Sequence, residues 1–128
     1  MGILSGATTA GFAHRSVVDT DLSRLSAGQR EAIGDPGNEV FVSAASAWEL
    51  GIKRSAGKLS LTDSIQMLVQ RFGFVELPIT MEHSELAASL PLHHKDPFDR
   101  MLVAQAIVEQ MLLVTADRRL AEYPVKLL

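Results

Sequence analysis

Carboxylates recur in this sequence where apolar runs end and helical patterns begin. Asp117 follows the apolar stretch LLVTA, Asp99 lies at the start of the helical pattern PFDRMLVAQA, and Glu49 lies within the pattern SAASAWELGIK. Asp19 ends the short apolar stretch SVV and is a fourth candidate. Carboxylate oxygens are the hard ligands that Mg²⁺ and Mn²⁺ prefer. These positions are therefore candidate ligands of a divalent metal ion.

Each position also has a purely structural explanation. Asp96 before a proline is a good helix N-cap, and Asp99 lies where the acid of a capping box would lie. Glu49 could form an exposed ion pair with Lys53, worth only ~0.3–0.5 kcal/mol. Asp117 could cap the turn that follows it. However, the helix after Asp99 is apolar on nearly all sides, so we expect it to be buried, with its N-terminus near the edge of a sheet.

The segment HHKD suggests two further kinds of site. His93, His94 and Asp96 offer the imidazole and carboxylate ligands of a zinc hydrolase, although adjacent residues of an extended segment point apart. Alternatively, the segment forms a polar, partly basic rim that contacts phosphates. The residues of this predicted rim are His93, His94, Lys95 and Arg100.

Composition excludes several classes of chemistry. The 128 residues include no cysteine, which removes disulfides, thiolate metal sites and cysteine nucleophiles. The net charge of −3 means that no overall positive field attracts nucleic acid, so such binding needs a local patch. Neither a GxGxxG or GxxxxGK[ST] phosphate loop nor a GxSxG nucleophile elbow occurs. We expect a cytoplasmic protein without a membrane segment.

Strand and helix patterns alternate along the chain. The strand patterns are at 16–20, 39–42, 74–79, 112–115 and 125–128, and the helical patterns are at 22–33, 43–57, 62–72, 80–90 and 97–111, with a helical turn from 117. Alternation with strongly apolar strands predicts an α/β fold with a parallel sheet covered on both faces. Sites in such sheets form beyond the carboxyl ends of the strands. We expect one domain over 1–128, with 1–15 poorly patterned.

Four segments together resemble the PIN-domain ribonucleases of the VapC toxin family. They are VFVSAASAWELGIKRSAGKLSL, FVELPIT, LPLHHKDPFDRMLVAQAIVE and LLVTADRRLAEY, and the resemblance runs from about Arg24 to the C-terminus. It implies an α/β/α sandwich with a central, mostly parallel sheet. It also implies a Mg²⁺-dependent endoribonuclease (Mn²⁺ being an alternative ion) that leaves a 5′-phosphate, commonly dimerises, and is held inactive by a cognate VapB-type antitoxin.

The resemblance also assigns roles by position. The family's acidic metal ligands fall on Glu49, Asp99 and Asp117. Its first ligand ends an apolar strand near the N-terminus, and two alignments compete for it. If the helix RLSAGQREAI is aligned with the family's first helix, the ligand position falls near Gly11 and the carboxylate is missing. If VVDT is aligned with the end of the family's first strand, Asp19 supplies the carboxylate, but the family's first helix is nearly deleted. We favour Asp19. The predicted RNA-contacting residues are His94, Lys95, Arg100 and Arg118.

Two alternatives remain open at this point. One is a degenerate, catalytically impaired PIN domain that acts only as a binding module for an antitoxin or RNA. The other is the zinc hydrolase that uses His93, His94 and Asp96. Alanine at Asp99 should abolish cleavage by an active toxin and leave antitoxin binding largely intact, whereas a zinc hydrolase should instead depend on the two histidines.

Overall fold

The computed structural model describes residues 14–128, which form an α/β unit. The strands are β1 (His14–Val18), β2 (Asn38–Ser43), β3 (Val75–Leu77) and β4 (Leu112–Val114). The α-helices are α1 (Ala27–Gly34), α2 (Ala44–Ser55), α3 (Ile65–Arg71), α4 (Met81–Ser89) and α5 (Pro97–Glu109). Two 3₁₀ helices lie at Leu22–Arg24 and Arg118–Glu122. Gly11, one of the two candidate positions for the first acidic ligand, lies outside the described residues.

The four strands form one sheet in the order β3-β2-β1-β4, and every pairing is parallel. Val17 of β1 pairs with Phe41 of β2 on one side and with Leu113 of β4 on the other. Because all strands run in one direction, their carboxyl ends lie at one edge of the sheet. The predicted parallel sheet flanked by helices is therefore confirmed, and this edge is where a site is expected.

The alternation of side chains along β1 creates a core on each face of the sheet. Val17, which is fully buried, joins the larger cluster, which includes Leu102 of α5. Val18 joins the smaller cluster with Leu25 and Val40. Successive strand residues point to opposite faces, so two adjacent buried valines require that both faces are covered.

Polar N-caps begin the helices that carry site residues. The Ser43 hydroxyl accepts a hydrogen bond from the Ala45 amide at the start of α2. At α5, Asp96 accepts from the amides of Phe98 and Asp99, and Pro97 occupies the first turn. These contacts satisfy amide groups that have no partner within the helix, so they fix where each helix begins.

Two predicted elements differ from the structure. The single helix predicted over 22–33 is divided, because Ser26 forms a capping box with Gln29 and begins α1 at Ala27. The predicted last strand is only an isolated bridge between Leu113 and Leu127. Within residues 14–128, no helix is long and apolar enough to cross a membrane.

Candidate metal centre

Asp19 and Asp117 lie beyond the carboxyl ends of the two neighbouring strands β1 and β4. Asp19 directly follows β1, and its amide donates to the Val114 carbonyl of β4 at 2.9 Å. Glu49 is carried by α2, which follows β2 without a loop, and Asp99 lies in the first turn of α5. Three of the four carboxylates are mostly shielded from solvent, since the side chains of Glu49, Asp99 and Asp117 are 17, 16 and 19% exposed.

Two threonines connect the Asp19 carboxylate with the Glu49 carboxylate and with the backbone amide of Asp117. The Thr20 hydroxyl donates to Glu49 Oε1 at 3.0 Å, while the Thr20 amide donates to Asp19 Oδ1 at 2.6 Å. The buried Thr115 hydroxyl donates to Asp19 Oδ2 at 2.9 Å and accepts from the Asp117 amide at 3.0 Å. The Thr115 side chain therefore lies between Asp19 and the backbone of Asp117. Asp19 is therefore held beside Glu49 and Asp117.

His94 joins the remaining carboxylate to this group. Its Nε2 lies 3.1 Å from Asp99 Oδ2 and 3.1 Å from Asp117 Oδ2. Its Nδ1 accepts from the Asp96 amide at 3.3 Å, which leaves the ring proton of the neutral imidazole on Nε2. In this tautomer, His94 donates toward two carboxylates and orients them. The four carboxylates and their three linking residues, Thr20, Thr115 and His94, are called the carboxylate cluster below.

Burial and repulsion act most strongly on Asp99. Loss of water around its carboxylate raises its pKa from 3.8 to about 7, and the nearby charges of Asp19, Asp96 and Glu49 act in the same direction, while His94 opposes them. A carboxylate that loses water among like charges holds its proton more tightly. A bound cation would relieve this repulsion.

The pKa of Asp117 is shifted in the opposite direction to that of Asp99. Hydrogen bonds from Arg119 hold the pKa of Asp117 well below its usual range, with a further contribution from His94. Arg119 donates through Nε to Oδ1 at 3.0 Å and through Nη2 to Oδ2 at 2.7 Å. The Arg119 side chain is 70% exposed, so this pair lies at the solvent side of the cluster.

The donor set of the cluster is suited to a hard divalent cation. Asp99, Asp117 and His94 each present one atom within 4.8 Å of the others, and Asp19 and Glu49 are tied to the same group by threonines. Oxygen atoms dominate this set, as Mg²⁺ and Mn²⁺ require. His94 would become a ligand only by releasing its Nε2 proton, which the Nδ1 contact with the Asp96 amide opposes.

The residues predicted to contact RNA are not all at the surface. Lys95 and Arg118 are exposed. His94, expected on the rim, instead has a side chain that is only 11% exposed and lies inside the cluster. Its hydrogen bonds to the two carboxylates draw it inward.

The position of Arg100 contradicts its predicted place on the RNA-facing rim. It was expected on the RNA-facing rim but is only 9% exposed. Its guanidinium donates to five acceptors: the carbonyls of Ala87, Leu90, Pro91 and His94, and the Tyr123 hydroxyl. All five are neutral oxygen atoms of the protein. Arg100 therefore anchors the segment before α5, and it does not face a ligand.

The zinc site suggested by the sequence does not form from its own segment. The His93 ring packs against Tyr123, with ring centroids 5.1 Å apart, and its Nδ1 lies 3.9 Å from Glu122. Asp96 is engaged at the helix N-terminus. The two histidines therefore point to different surroundings, as adjacent residues of an extended segment do.

Thr20 and Arg119 were not predicted as members of this site. The dipeptide Asp19-Thr20 carries a detectable signal, because a hydroxyl directly after a strand-end carboxylate lies at the same sheet edge. The signal for Arg119 is weaker: an arginine two residues after an N-cap aspartate is close enough to form hydrogen bonds with that carboxylate. His94 could not be assigned from the sequence, because its direction depends on how the loop before α5 is held.

A parallel sheet with carboxylates gathered at its carboxyl edge places residues 14–128 among α/β proteins with an acidic site at that edge. The chain belongs to the PIN domain family, whose model matches residues 17–126. PIN domains are generally nucleases and typically bind divalent metals. No curated protein matches the chain.

Several solved structures share this fold at low sequence identity. VapBC2 from Rickettsia felis, bound to a DNA fragment from their promoter, matches with a TM-score of 0.65 at 15% identity, covering 89% of this chain and 97% of that one. VapBC-1 from nontypeable Haemophilus influenzae matches with a TM-score of 0.61 at 15% identity, over 89% and 96% of the two chains. FitAcB from Neisseria gonorrhoeae matches with a TM-score of 0.53 at 14% identity, over 88% and 95%. These similarities show a VapC-like fold.

Proposed function

We propose that this protein is the toxin of a type II toxin–antitoxin pair and acts as a Mg²⁺-dependent endoribonuclease. The observation that carries the proposal is the carboxylate cluster, in which Asp19, Glu49, Asp99 and Asp117 are connected by hydrogen bonds at one edge of a parallel sheet. Membership of the PIN domain family and a fold like that of VapBC chains support the same function. We treat residues 1–128 as one domain.

Asp19, Glu49, Asp99 and Asp117 are the proposed ligands of Mg²⁺, with Mn²⁺ as the alternative ion. When bound, such an ion neutralises charge on a phosphate and lowers the pKa of a coordinated water. The chain itself fixes the positions of the ligands. Thr20 and Thr115 hold the carboxylates of Asp19 and Glu49 at 3.0 Å or less, so these two ligands are already positioned for a cation.

Exposed cations beside the cluster would contact the RNA backbone. Lys95 lies in the segment before α5, and Arg118 lies directly after Asp117. With a net charge of −3, the protein must attract RNA through such local groups. Arg119 would leave Asp117 when the metal ion binds, and its guanidinium would then be available to a phosphate oxygen.

The proposed partners follow from the family resemblance and from the solved complexes. We propose a VapB-type antitoxin, a homodimer, and a cytoplasmic location. The structures with a similar fold are toxin–antitoxin complexes, which supports the antitoxin as a partner.

One observation favours a second function, a degenerate PIN domain that binds antitoxin or RNA without cleaving it. Arg119 occupies both oxygen atoms of Asp117, at 3.0 and 2.7 Å, and so already neutralises one proposed ligand. If Arg119 is not displaced, the cluster keeps three carboxylates for a metal ion. Metal binding and cleavage would then both be weak.

Cleavage of a defined RNA pool in Mg²⁺ and in chelator tests the proposal. The wild-type chain should cut only with the metal, leaving 5′-phosphate ends, and Asp99→Ala should remove cleavage while antitoxin binding is largely retained. Asp35→Asn is the matched control, because it neutralises an exposed aspartate in the turn before β2. Absence of metal-dependent cleavage by a chain that still binds the antitoxin would establish the binding module instead.

A further inference from the structure

The only tryptophan of the chain is exposed beside the carboxylate cluster. Trp48 lies on α2 immediately before Glu49, and 66% of it is accessible to solvent. Its indole ring meets Phe98, the residue immediately before Asp99, with ring centroids 5.4 Å apart and planes at 71°. Two aromatic side chains from different helices therefore meet, and each belongs to the residue directly before a proposed metal ligand.

The contact with Phe98 does not explain the exposure of Trp48. An edge-to-face contact covers one edge or one face of a ring and leaves the opposite side of the indole open. The Phe98 amide donates to the Asp96 carboxylate at 2.8 Å in the first turn of α5, and this contact fixes the backbone that carries the Phe98 ring. Trp48 thus contacts a neighbouring ring on one side and keeps an aromatic face in water.

We propose that the open face of Trp48 stacks against an unpaired base of RNA, next to the phosphate that lies at the carboxylate cluster. This inference rests on the proposed function, since it places the bound nucleotide by the position of the metal ligands. Every base presents an aromatic face, so stacking holds a strand without requiring a particular sequence. Bases within a double helix are already stacked on their neighbours, so the site selects single-stranded segments.

The position of Trp48 favours a base over a protein surface as its occupant. Trp48 directly precedes Glu49 in the chain, and its partner ring directly precedes Asp99, so the backbone that carries both rings also carries two of the groups that would act on a phosphodiester. Ile52, one turn further along α2 and 47% exposed, lies beyond Glu49 and offers no aromatic face. Ile52 therefore separates the two possibilities: a protein partner would use both residues, whereas a nucleotide would use Trp48.

The single tryptophan provides a direct readout of binding. The probe is a single-stranded 2′-O-methyl RNA of about eight nucleotides, within the site sizes typical of single-strand binding, added in Mg²⁺ to the cleavage-deficient Asp99→Asn chain. We expect saturable quenching of the indole fluorescence by this strand and much less by the same strand annealed to its complement. Equal quenching by both forms, or none by either, would overturn the inference.

Variants in the same background separate stacking from other roles. By anisotropy of a labelled strand, Trp48→Ala should weaken binding about 5- to 150-fold, the range for loss of one base–aromatic stack. Trp48→Phe should restore most of the affinity, and Ile52→Ala should leave it unchanged. If Trp48→Ala and Ile52→Ala both dissociate a dimer in sedimentation and neither alters RNA affinity, the surface is a contact between copies and the inference is wrong.

The failure of this inference can be distinguished from the failure of the proposed function. A wild-type chain that cleaves RNA with Mg²⁺ but whose KM is unchanged by Trp48→Ala retains its function and refutes the stacking site. Conversely, quenching and stacking without any metal-dependent cleavage would support the inference for an RNA-binding module.

Discussion

Replacing Asp99 by asparagine should stabilise the metal-free protein. Asp99 is mostly buried and surrounded by like charges, which raises its pKa from 3.8 to about 7. Because the folded protein binds this proton more tightly than the unfolded chain, the stability attributable to Asp99 falls as the pH rises from about 4 to about 7 and stays low above that. Asparagine has nearly the same shape and can still accept from His94, but it carries no charge.

The size of the gain in stability follows from the difference between the ordinary and the raised pKa of Asp99. From 3.8 to about 7, at 1.36 kcal/mol per pH unit, the ionised Asp99 costs the fold at most about 4 kcal/mol at pH 8. Other carboxylates of the cluster share the repulsion and relax when Asp99 is neutralised, so we expect Asp99→Asn to gain about 2 kcal/mol. At pH 4 the gain should vanish, because Asp99 is then protonated in the folded wild type.

Urea unfolding in chelator at several pH values between 4 and 8.5 measures this directly. The difference in the free energy of unfolding between wild type and Asp99→Asn should grow with pH and level off above about 7.5. Asp35→Asn, at an exposed turn, should show no such growth. A variant that is equally or less stable at pH 8, with a wild-type pH profile, would refute the account of burial and repulsion at Asp99.

Four further predictions concern the cluster and its supports. Mg²⁺ at about 100 times its dissociation constant should stabilise the wild type by about 2.7 kcal/mol and raise its Tm by about 10 °C, measured by calorimetry; identical melting in chelator would argue against the metal centre. Thr115→Val should lower the free energy of unfolding by about 1–3 kcal/mol and weaken Mg²⁺ binding in titration calorimetry. The reason is that Asp19 Oδ2 and the Asp117 amide lose the hydroxyl with which they form hydrogen bonds, whereas Thr115→Ser should retain both the stability and the Mg²⁺ binding. Asp96→Ala should cost about 1 kcal/mol in urea unfolding and Asp96→Asn much less; equal losses would mean that capping is not the role of Asp96. Arg100→Lys should cost about 3 kcal/mol by the same measurement, since one ammonium cannot reach five acceptors, and a cost below 1 kcal/mol would contradict the anchoring role.

The sequence predicted the features that depend on local pattern. The cap at Asp96 is predicted by its place before a proline and a helical run, and the sheet is predicted by its apolar strands. The sequence also indicated the edge of the sheet where carboxylates gather, because parallel strands place their carboxyl ends together.

The features that were missed depend on contacts between distant segments. His94 lies in a loop, and nothing in HHKD indicates that one ring reaches two carboxylates, one of them 23 residues later in the chain. Arg100 was misplaced because a charged side chain is exposed in most proteins, and only the folded loop supplies the five acceptors that permit its burial. The placement of Asp19 beside Thr115 and Glu49 depends on the pairing of β1 with β4, which no local pattern indicates.

The anchoring of the loop before α5 by Arg100 has a consequence for how the cluster responds to acid and base. The five groups that accept from this guanidinium are peptide carbonyls and a phenol hydroxyl, so within residues 14–128 no carboxylate takes part in the anchor. A guanidinium keeps its charge throughout the working range of proteins. The hydrogen bonds that hold the backbone of His94 therefore do not depend on the protonation of Asp99. The charges of the carboxylate cluster can change while the loop before α5 keeps its position.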